Sequence, residues 1–290
     1  MKIAENNGIA KISEVHPETI IKRNAKQEIE QDAQSQIDTI NANNKSTNEE
    51  KSAAIDRVNV AKIDAINNIT NATTTQLVND AKNSGNTSIS QILPSTAVKT
   101  NALAALASEA KNKNAIIDQT PNATAEEKEE ANNKVDGLQE EADANILKAH
   151  TTEEVNNIKN QAVQNINAVQ VEVIKKQNVK NQLNQFIDNQ KKIIENTPDA
   201  TLEEKAEANR LLQNVLTSAS DEIANVDHNN EVDQALDKAR PKIEAIVPQV
   251  SKKRDALNAI QEAFNSQTQE IQENQEATNE EKTEALNKIN

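Results

Sequence analysis

Apolar residues recur along the chain at steps of three and four positions, which is the spacing of one face of an α-helix. Three such stripes occupy equivalent positions: Ala54, Val58, Ala61, Ala65 and Ile69; Ala131, Val135, Leu138, Ala142 and Ile146; Ala208, Leu212, Val215, Ala219 and Ile223. No segment alternates with a period of two, which is the pattern of a half-buried strand. The pattern predicts an all-α protein.

Two more stripes of the same kind follow each of these. The second helix carries Val78, Ala81, Gly85, Ile89 and Ile92, then Val155, Ile158, Ala162, Ile166 and Val169, then Val232, Ala235, Ala239, Ile243 and Ile246. The third carries Ala102, Leu106, Ala110 and Ile117, then Val179, Leu183, Ile187 and Ile194, then Ala256, Ile260, Phe264 and Ile271. Each period therefore predicts three helices.

A pentapeptide, Thr-x-Glu-Glu-Lys, fixes the length of the period. It occurs at Thr47–Lys51, Thr124–Lys128, Thr201–Lys205 and Thr278–Lys282, so that each copy begins 77 residues after the previous one. Pro17, Pro94 and Pro248 share another position, which Val171 fills in the remaining copy, and Gly8, Gly85, Ala162 and Ala239 share a third. The chain is a tandem repeat.

The pentapeptide also predicts where the first helix begins. Threonine followed three residues later by glutamate is a capping box, and paired glutamates suit the positive end of the helix dipole. Turns are expected before it, at 119–123 and 196–200, and after the first helix, at 71–74 and 226–229. Both kinds of turn are long enough to reverse the direction of the chain.

Between the second and third helices the sequence shows no turn chemistry, only the proline position. We therefore expect bundles of the order third–first–second helix, joined end to end by near-continuous helices that kink where proline stands. The boundaries are then a preceding second helix at 1–16, three-helix bundles at 17–93, 94–170 and 171–247, and an incomplete fourth repeat at 248–290. The competing order, first–second–third helix at 47–123, 124–200 and 201–277, requires a tight reversal at the proline.

Such bundles predict an elongated rod with thin cores. A helix of about 22 residues is about 33 Å long, and three bundles with their connections would span about 120–150 Å. Small residues in mid-stripe, such as Ala61, Gly85 and Ala110, let helix axes approach closely; Gly85 could instead mark a kink. Phe264 replaces stripe residues and is expected in a core, whereas Phe186 lies beside the stripe and could anchor a partner.

Composition excludes several classes of function. The chain has no cysteine, hence no disulfide or thiolate site, and 46 acidic against 32 basic residues give a net charge of −14, which disfavours nucleic acid. No apolar run is long enough to span a membrane. Residues 1–6 lack the apolar core of a signal peptide, so we expect that an exported parent protein would contain this chain as an excised piece.

Few residues are candidates for catalysis or metal binding. The histidines, His16, His150 and His228, belong to no metal-binding pattern, and the last two are expected in solvated turns. The glutamate pairs could suggest acid–base catalysis, but adjacent helical residues point apart, so helix capping is the better interpretation. No EF-hand loop or phosphate-binding loop is present. We expect no catalytic residue, no metal site and no cofactor.

The pentapeptide, the alanine-rich stripes, the in-phase Gly85 and Ala162, and the Ile-x-x-Ile-x-Pro endings at 89–94 and 243–248 resemble a known family. They are similar to the tandem "domain of unknown function" repeats of staphylococcal cell-wall-anchored surface proteins of the Ebh, SasC and FmtB type. The resemblance covers essentially the whole chain. It implies a helical-bundle fold, export, anchoring to peptidoglycan, and a stalk beneath an adhesive region, with no catalytic residues.

Two functions follow as hypotheses. The first is a structural spacer that holds another region away from the cell wall. The second is a low-affinity, multivalent module for a host matrix protein, or for another copy of itself in cell aggregation or biofilm, with repetition supplying avidity. A binder should show an exposed apolar patch that recurs on one face. We expect the chain by itself to be monomeric.

Overall fold

The computed structural model describes residues 1–14 and 19–289, and within them it contains twelve helices and no strand. The all-α prediction is confirmed. The helices are α1 (Lys2–Ser13), α2 (Ile20–Ala42), α3 (Asn48–Asn71), α4 (Thr75–Ser90), α5 (Ala97–Asp118), α6 (Ala125–Lys148), α7 (Thr152–Ala168), α8 (Lys175–Glu195), α9 (Leu202–Asn225), α10 (Asn229–Glu244), α11 (Lys252–Glu273) and α12 (Asn279–Ile289). Within the described residues, every helix is too short or too polar to span a membrane.

The helices follow the three stripes of each period. The first helices are α3, α6, α9 and α12; the second helices are α4, α7 and α10; the third helices are α2, α5, α8 and α11. Helix α1 occupies the positions of a second helix, since Gly8 is equivalent to Gly85 of α4. We call α2–α4 repeat 1, α5–α7 repeat 2 and α8–α10 repeat 3.

The chain divides into two units, and the first comprises Met1–Ile116 with Asn132–Val169. Within it, α2, α3 and α4 pack pairwise around one core. The core consists of the predicted stripe residues of the three helices: Ala25, Ile29, Ala33, Ile40, Ala54, Val58, Ala65, Ile69, Val78 and Ile89, with Ala72 from the turn. The apolar stripes therefore meet along the bundle axis.

Gly85 of α4 lies close to both other helices of this bundle. A Cβ atom at this position would be 2.5 Å from Ala65 Cβ and 2.9 Å from Ile29 Cδ1. Helix α4 continues through the glycine without a break. A close helix contact, and not a kink, accounts for Gly85.

Repeat 2 contributes to the first unit through parts of α5 and α6 and through α7. Side-chain hydrogen bonds join these helices: Asn114 Nδ2 donates to Asp136 Oδ1 at 3.0 Å, and Asn167 Nδ2 donates to Glu109 Oε1 at 2.7 Å. The stripe residues Val135, Ile146 and Ile166 are fully buried. Leu138 is only partly buried, beside a shallow groove between α6 and α7.

The second unit comprises Ile117–Ala131 with Gln170–Asn290. Here α8, α9 and α10 pack pairwise around the equivalent core: Val179, Leu183, Ile187, Ile194, Ala208, Leu212, Ala219, Ile223, Val232, Ala235, Leu236, Ala239 and Ile243. Phe186 packs against the edge of this core, and the Arg240 guanidinium lies 5.1 Å from its ring centroid. The ring is therefore held within the bundle.

Helices α11 and α12 contact each other but contain no buried residue. Phe264 is only partly buried, and its position differs from the core position that the sequence predicts. The reason is that α11 and α12 provide only two of the three sides that enclose the equivalent residues, Ala33 and Ile187, in the complete bundles.

The predicted turns are confirmed. Chain reversals occupy the residues between α5 and α6 and between α8 and α9, where Asn122 and Asp199 have φ values of 62° and 60° at equivalent positions. Asparagine and aspartate tolerate this left-handed conformation better than most residues. Short loops centred on Thr73, His150 and Asp227 connect the first helices to the second.

The prediction of near-continuous helices between the second and third helices is wrong. Residues 92–96, 169–174 and 246–251 are non-helical in the three copies. Leu93 and Val247 precede prolines and are disfavoured in the helical region. The copy with Val171 is also non-helical, since β-branched Val169, Val171 and Val173 favour an extended chain. Pro17, the fourth member of this position, lies outside the described residues.

Candidate functional site

The pentapeptides cap the first helices as predicted. Thr47 Oγ1 accepts the Glu50 N–H at 3.4 Å, and Glu50 Oε2 accepts the Thr47 N–H at 3.0 Å. The same reciprocal pair joins Thr124 to Glu127, Thr201 to Glu204 and Thr278 to Glu281. Each pair satisfies two backbone donors that have no partner inside the helix.

The second glutamate of the pentapeptide also caps another helix. Glu127 Oε1 accepts the backbone N–H groups of Ile174 and Lys175 at 2.8 and 2.7 Å, where α8 begins. Glu204 Oε1 binds the Ser251 and Lys252 N–H groups at the start of α11, and Glu50 Oε1 binds the Val98 N–H in α5. One carboxylate thus fixes the first helix of one repeat to the third helix of the next.

The first glutamate of the pentapeptide reaches the second helix of the next repeat. Glu49 Oε2 accepts the Thr152 backbone N–H at 3.0 Å and the Thr152 hydroxyl at 2.9 Å. In the equivalent place, Glu126 Oε2 accepts the Asn229 N–H at 3.0 Å, and Glu126 Oε1 lies 3.2 Å from His228 Nδ1. These carboxylates lie at the N-terminus of α7 or α10, where negative charge is favoured.

Backbone contacts complete the connection. The Asn48 N–H donates to the His150 carbonyl at 2.8 Å, and the Ala125 N–H donates to the Asp227 carbonyl at 2.7 Å. We call residues 47–50 with 97–99 and 150–152 joint 1, which lies wholly in the first unit, and residues 124–127 with 174–176 and 227–229 joint 2, which lies wholly in the second.

A lysine at the start of α5 and of α8 binds the end of a first helix. Lys99 Nζ donates to the Leu147 carbonyl at 2.8 Å and also, across joint 1, to the Asn44 carbonyl at 2.9 Å. Lys176 Nζ donates to the Ala224 carbonyl at 2.8 Å. Only 3% of Lys99 is exposed, and this burial, together with the nearby Lys51, lowers the pKa of its ammonium group. The ammonium charge complements the negative end of the helix dipole.

The joint carboxylates are held in their ionised form. Hydrogen bonds from its own backbone and from Thr152 lower the pKa of Glu49 to about 2. Those from Thr201, Ser251 and Lys252 lower the pKa of Glu204 to about 2, and that from the Asn229 backbone lowers the pKa of Glu126. Burial raises the pKa of Glu127, but its hydrogen bonds to Thr124, Lys175 and Ile174 leave it below the ordinary value. A general acid or base needs a pKa near the working pH, so this geometry favours a structural role.

The histidines add no second site. His150 and His228 lie in the exposed loops before α7 and α10, as predicted, whereas His16 lies outside the described residues. Among residues 1–14 and 19–289, no three His, Asp or Glu side chains are grouped so that they could hold a metal ion.

Sequence reasoning missed the joints, although it contained a signal for them. A capping box requires only the second glutamate of the pentapeptide. The first glutamate is nevertheless present in all four copies, as Glu49, Glu126, Glu203 and Glu280. Its recurrence indicates a second partner, which the structure places one repeat further along the chain at joints 1 and 2.

Comparison with known families gives one match that covers most of the chain. A family model described as "Domain of Unknown Function (DUF1542)" matches residues 21–97, 98–174, 175–251 and 252–290. Each matched segment begins in a third helix, so that the first three contain α2–α4, α5–α7 and α8–α10.

Curated relatives share the repeat region. The chain is 27% identical over 280 residues to the extracellular matrix-binding protein EbhA of Staphylococcus aureus strain Mu50 and to the extracellular matrix-binding protein ebh of strain JH9. It is 26% identical to EbhA of strain Newman. Each alignment covers 96% of this chain but only 3–8% of the relative, so the chain spans a small part of the curated relatives' length. No solved structure matches the chain significantly.

Proposed function

The chain belongs to the DUF1542 family, and we propose that its repeats form a non-catalytic stalk that projects a distal region of a bacterial surface protein from the cell wall. In this proposal the stalk consists of bundles at 17–93, 94–170 and 171–247, with 248–290 belonging to a fourth repeat. The parent protein would be extracellular and anchored to the cell wall.

The joints are the observation that supports this function. A spacer must hold each bundle in a fixed position relative to the next, which requires the same contacts between every pair of neighbouring bundles. Joints 1 and 2 use equivalent residues: Glu49 and Glu126 bind a second helix, and Glu50 and Glu127 bind a third helix of the following repeat. Three attachments between neighbouring bundles (two carboxylates and a backbone hydrogen bond) resist bending better than a single linker.

The chemistry of the described residues supports a non-catalytic protein. The recurring carboxylates are occupied by backbone donors and have lowered pKa values, so they hold no proton to donate near neutral pH. The relatives are named as matrix-binding proteins and not as enzymes.

Small-angle scattering of residues 17–93, 17–170 and 17–247 tests the stalk. We expect the maximum dimension to grow by the same increment with each bundle, at roughly the 33 Å of a 22-residue helix or somewhat more. The double variant Glu49→Ala/Glu126→Ala should keep its helical circular dichroism but show a shorter and broader distance distribution. A compact envelope that grows only with the cube root of mass would contradict the proposal.

A second candidate is multivalent, low-affinity binding of a host matrix protein. Its support is the name of the relatives, extracellular matrix-binding proteins, together with an exposed apolar side chain in two of the three non-helical links. Leu93 and Val247 occupy equivalent positions before a proline and are exposed by 63% and 54%. The middle copy has Gln170 at this position, so two of the three links would each contribute a weak apolar contact, which linkage would strengthen.

Titration of the chain on immobilised fibronectin separates this candidate from a pure spacer. Saturable binding that the double variant Leu93→Asp/Val247→Asp abolishes would support the binding function. A matched control, Val60→Asp on the exposed surface of α3, should leave such binding intact. Absence of titratable binding by the unaltered chain would leave the spacer as the better account.

A further inference from the structure

A pocket beside joint 1 concentrates basic side chains. Its volume of about 490 Å³ is in the range of small-ligand sites, and it lies wholly in the first unit. Lys51, Lys99, Lys148 and His150 line it, and none of the described residues that line it is acidic. The whole chain has a net charge of −14, so this local excess of basic groups is an exception. We call residues 41–44, 46, 51, 99 and 147–150 the lysine pocket.

The ammonium groups of the lysine pocket keep unused hydrogen-bond donors. Each ammonium group has three N–H donors. Lys99 Nζ uses two of them, on the Asn44 and Leu147 carbonyls. Lys51 Nζ uses one, on the Asn41 carbonyl at 2.9 Å. Lys148 is exposed, and its Nζ has no hydrogen-bond or ion-pair partner in the part of the chain that the structure describes.

Two of these ammonium groups repel each other. Lys99 is only 3% exposed, and its burial together with the charge of Lys51 lowers its pKa. Glu50 and Glu154 act in the opposite direction, but both carboxylates already accept backbone N–H groups in capping boxes. An anion in the lysine pocket would offset the repulsion between the two ammonium groups.

Ser46 gives an independent indication of a ligand. It lines the same pocket and is 3% exposed, and its Oγ has no hydrogen-bond partner among the described residues. Burial of a hydroxyl group without a partner is unfavourable. The equivalent residue in the next repeat is the buried Ala123, so the fold does not need a hydroxyl at this position. A ligand in the pocket would give the Ser46 hydroxyl its partner.

Joint 2 lacks this combination of residues. Asn225 and Asp227 stand at the positions of Lys148 and His150. The other two basic positions of the pocket retain lysine in joint 2, which indicates that those lysines serve the fold. The additional basic side chains and the serine therefore distinguish joint 1 from joint 2.

We propose that the lysine pocket binds a phosphate group. Lysine ammonium groups bind phosphate as point charges, and the Ser46 hydroxyl can donate to a phosphate oxygen. A phosphate with up to two negative charges matches several ammonium groups better than a singly charged carboxylate does. This chemistry suits both a free phosphate ion and the phosphodiester of a polymer.

A bound phosphate would connect two repeats. Ser46 and Lys51 belong to repeat 1, whereas Lys99 and Lys148 belong to repeat 2. The ligand would therefore add a bridge to the hydrogen bonds of joint 1. Those hydrogen bonds form without an anion, so this proposal stands apart from the stalk function.

Titration of the full chain with inorganic phosphate at constant ionic strength, followed by amide chemical shifts, tests the proposal. We expect saturable shifts at Ser46, Lys99 and Lys148, with a dissociation constant on the order of 1 mM. The equivalent residues Lys176 and Asn225 in joint 2 should not respond. Shifts that do not saturate, or that are equal in the two joints, would overturn the proposal.

Variants that give joint 1 the residues of joint 2 should weaken the site without disturbing the fold. Lys148→Asn and Ser46→Ala should each raise the dissociation constant by about tenfold. Lys111→Asn, which removes an exposed charge from α5 in the same unit, is the matched control and should bind phosphate normally. Thermal melts in phosphate-free buffer will show that the variants remain folded. Equal weakening in Lys148→Asn and Lys111→Asn would mean that phosphate responds only to net charge, against the proposal.

Two further anions identify the chemistry and its source. Dimethyl phosphate has the single charge and the two ester bonds of a phosphodiester. Affinity equal to that of inorganic phosphate would support the phosphodiester of a polymer as the ligand, whereas binding about tenfold weaker would support free phosphate. Acetate has the same charge as dimethyl phosphate but is a carboxylate. Acetate that binds as tightly as inorganic phosphate would overturn the assignment to phosphate.

Discussion

Glu49 and Thr152 are 103 positions apart in the sequence, yet one oxygen of the Glu49 carboxylate accepts both the backbone N–H and the hydroxyl of Thr152. The start of α7 is therefore capped twice. Thr151 and Glu154 form its local capping box, and Glu49 supplies a further charge from the first helix of the preceding repeat. Helix capping, an ordinarily local interaction, here connects one repeat to the next.

Replacing the joint carboxylate should loosen α7 locally. In Glu49→Gln the side chain loses its negative charge, so its carbonyl oxygen accepts the two Thr152 donors more weakly than the carboxylate oxygen does. We expect the Thr152 amide to exchange with deuterium several-fold faster, while amides in the middle of α3 keep their protection. Glu30→Gln, at an exposed position on α2, is the control and should leave Thr152 unchanged. Equal exchange at Thr152 in both variants would show that the contact does not hold the joint.

Acid should weaken the whole array. A carboxylate whose pKa is lowered by folding stabilises the folded state above its unfolded pKa, and this contribution is lost as the pH falls towards the folded pKa. For Glu49 and Glu204 these values are 4.5 and about 2, and Glu50, Glu126, Glu127 and Glu281 shift in the same direction. The melting temperature should therefore be steady above about pH 5 and fall between about pH 5 and pH 2.

The variant Glu204→Gln isolates one contributor to this acid dependence. It should lower the melting temperature at pH 7. In Glu204 both carboxylate oxygens accept backbone N–H groups, whereas glutamine has an NH₂ group in place of one of these oxygens and cannot accept a hydrogen bond there. The difference from the unaltered chain should shrink as the pH falls towards 2, where Glu204 is itself protonated. A difference that stays constant from pH 7 to pH 2 would mean that the charge of Glu204 contributes nothing.

Lys99 should be needed for its contacts and not merely for its charge. Its Nζ binds the Leu147 and Asn44 carbonyls in a nearly buried position. Lys99→Met leaves these acceptors without their donor and should cost about 1–3 kcal/mol in the free energy of unfolding. Lys148→Met removes an equal charge from an exposed neighbouring position and should cost under about 0.5 kcal/mol. Chemical denaturation of the two variants measures both values.

The sequence predicts most of the bundle structure because the signals for helix position and core residues are local and periodic. Stripes at helical spacing identify the core residues, and the Thr47 and Thr201 capping boxes mark the helix starts, since both signals lie within a few residues of each other. The positions of Val58, Leu183 and Ile243 in the cores follow directly from the pattern. Partial burial of Leu138 does not, because the depth of a stripe residue depends on how closely the neighbouring helices approach.

The joints and the links could not be derived in the same way. The partner of Glu126 is the start of α10, roughly a hundred residues away, and no local pattern specifies that meeting. The start of α8 is capped by Glu127, which accepts the Ile174 and Lys175 N–H groups from the preceding repeat. The β-branched residues around Val171 favour the extended link before α8, but the apolar pattern alone does not show where the helix begins.

Two glycines should respond to alanine in opposite directions. A Cβ at Gly85 would lie 2.5 Å from Ala65 Cβ, whereas one at Gly137 would meet nothing within 4 Å. Gly85→Ala should therefore push α4 away from α3 and cost about 1–3 kcal/mol. Gly137→Ala, inside α6, should stabilise the protein by about 0.5–1 kcal/mol, because alanine has the higher helix propensity. Thermal unfolding of both variants distinguishes a close helix contact from mere helix propensity, since propensity alone would make both substitutions stabilising.

Two neighbouring leucines in α9 test whether the predicted stripe of this helix faces the core. Leu212 is fully buried in the core of α8–α10, whereas Leu211, one residue earlier, is 42% exposed. Leu212→Ala removes apolar contacts and leaves a cavity, so it should cost about 2–5 kcal/mol in the free energy of unfolding. Leu211→Ala should cost less than about 1 kcal/mol, because much of that side chain already lies in water. Urea denaturation monitored by circular dichroism measures both, and similar midpoints for the two variants would show that the stripe assigned to α9 does not face the core.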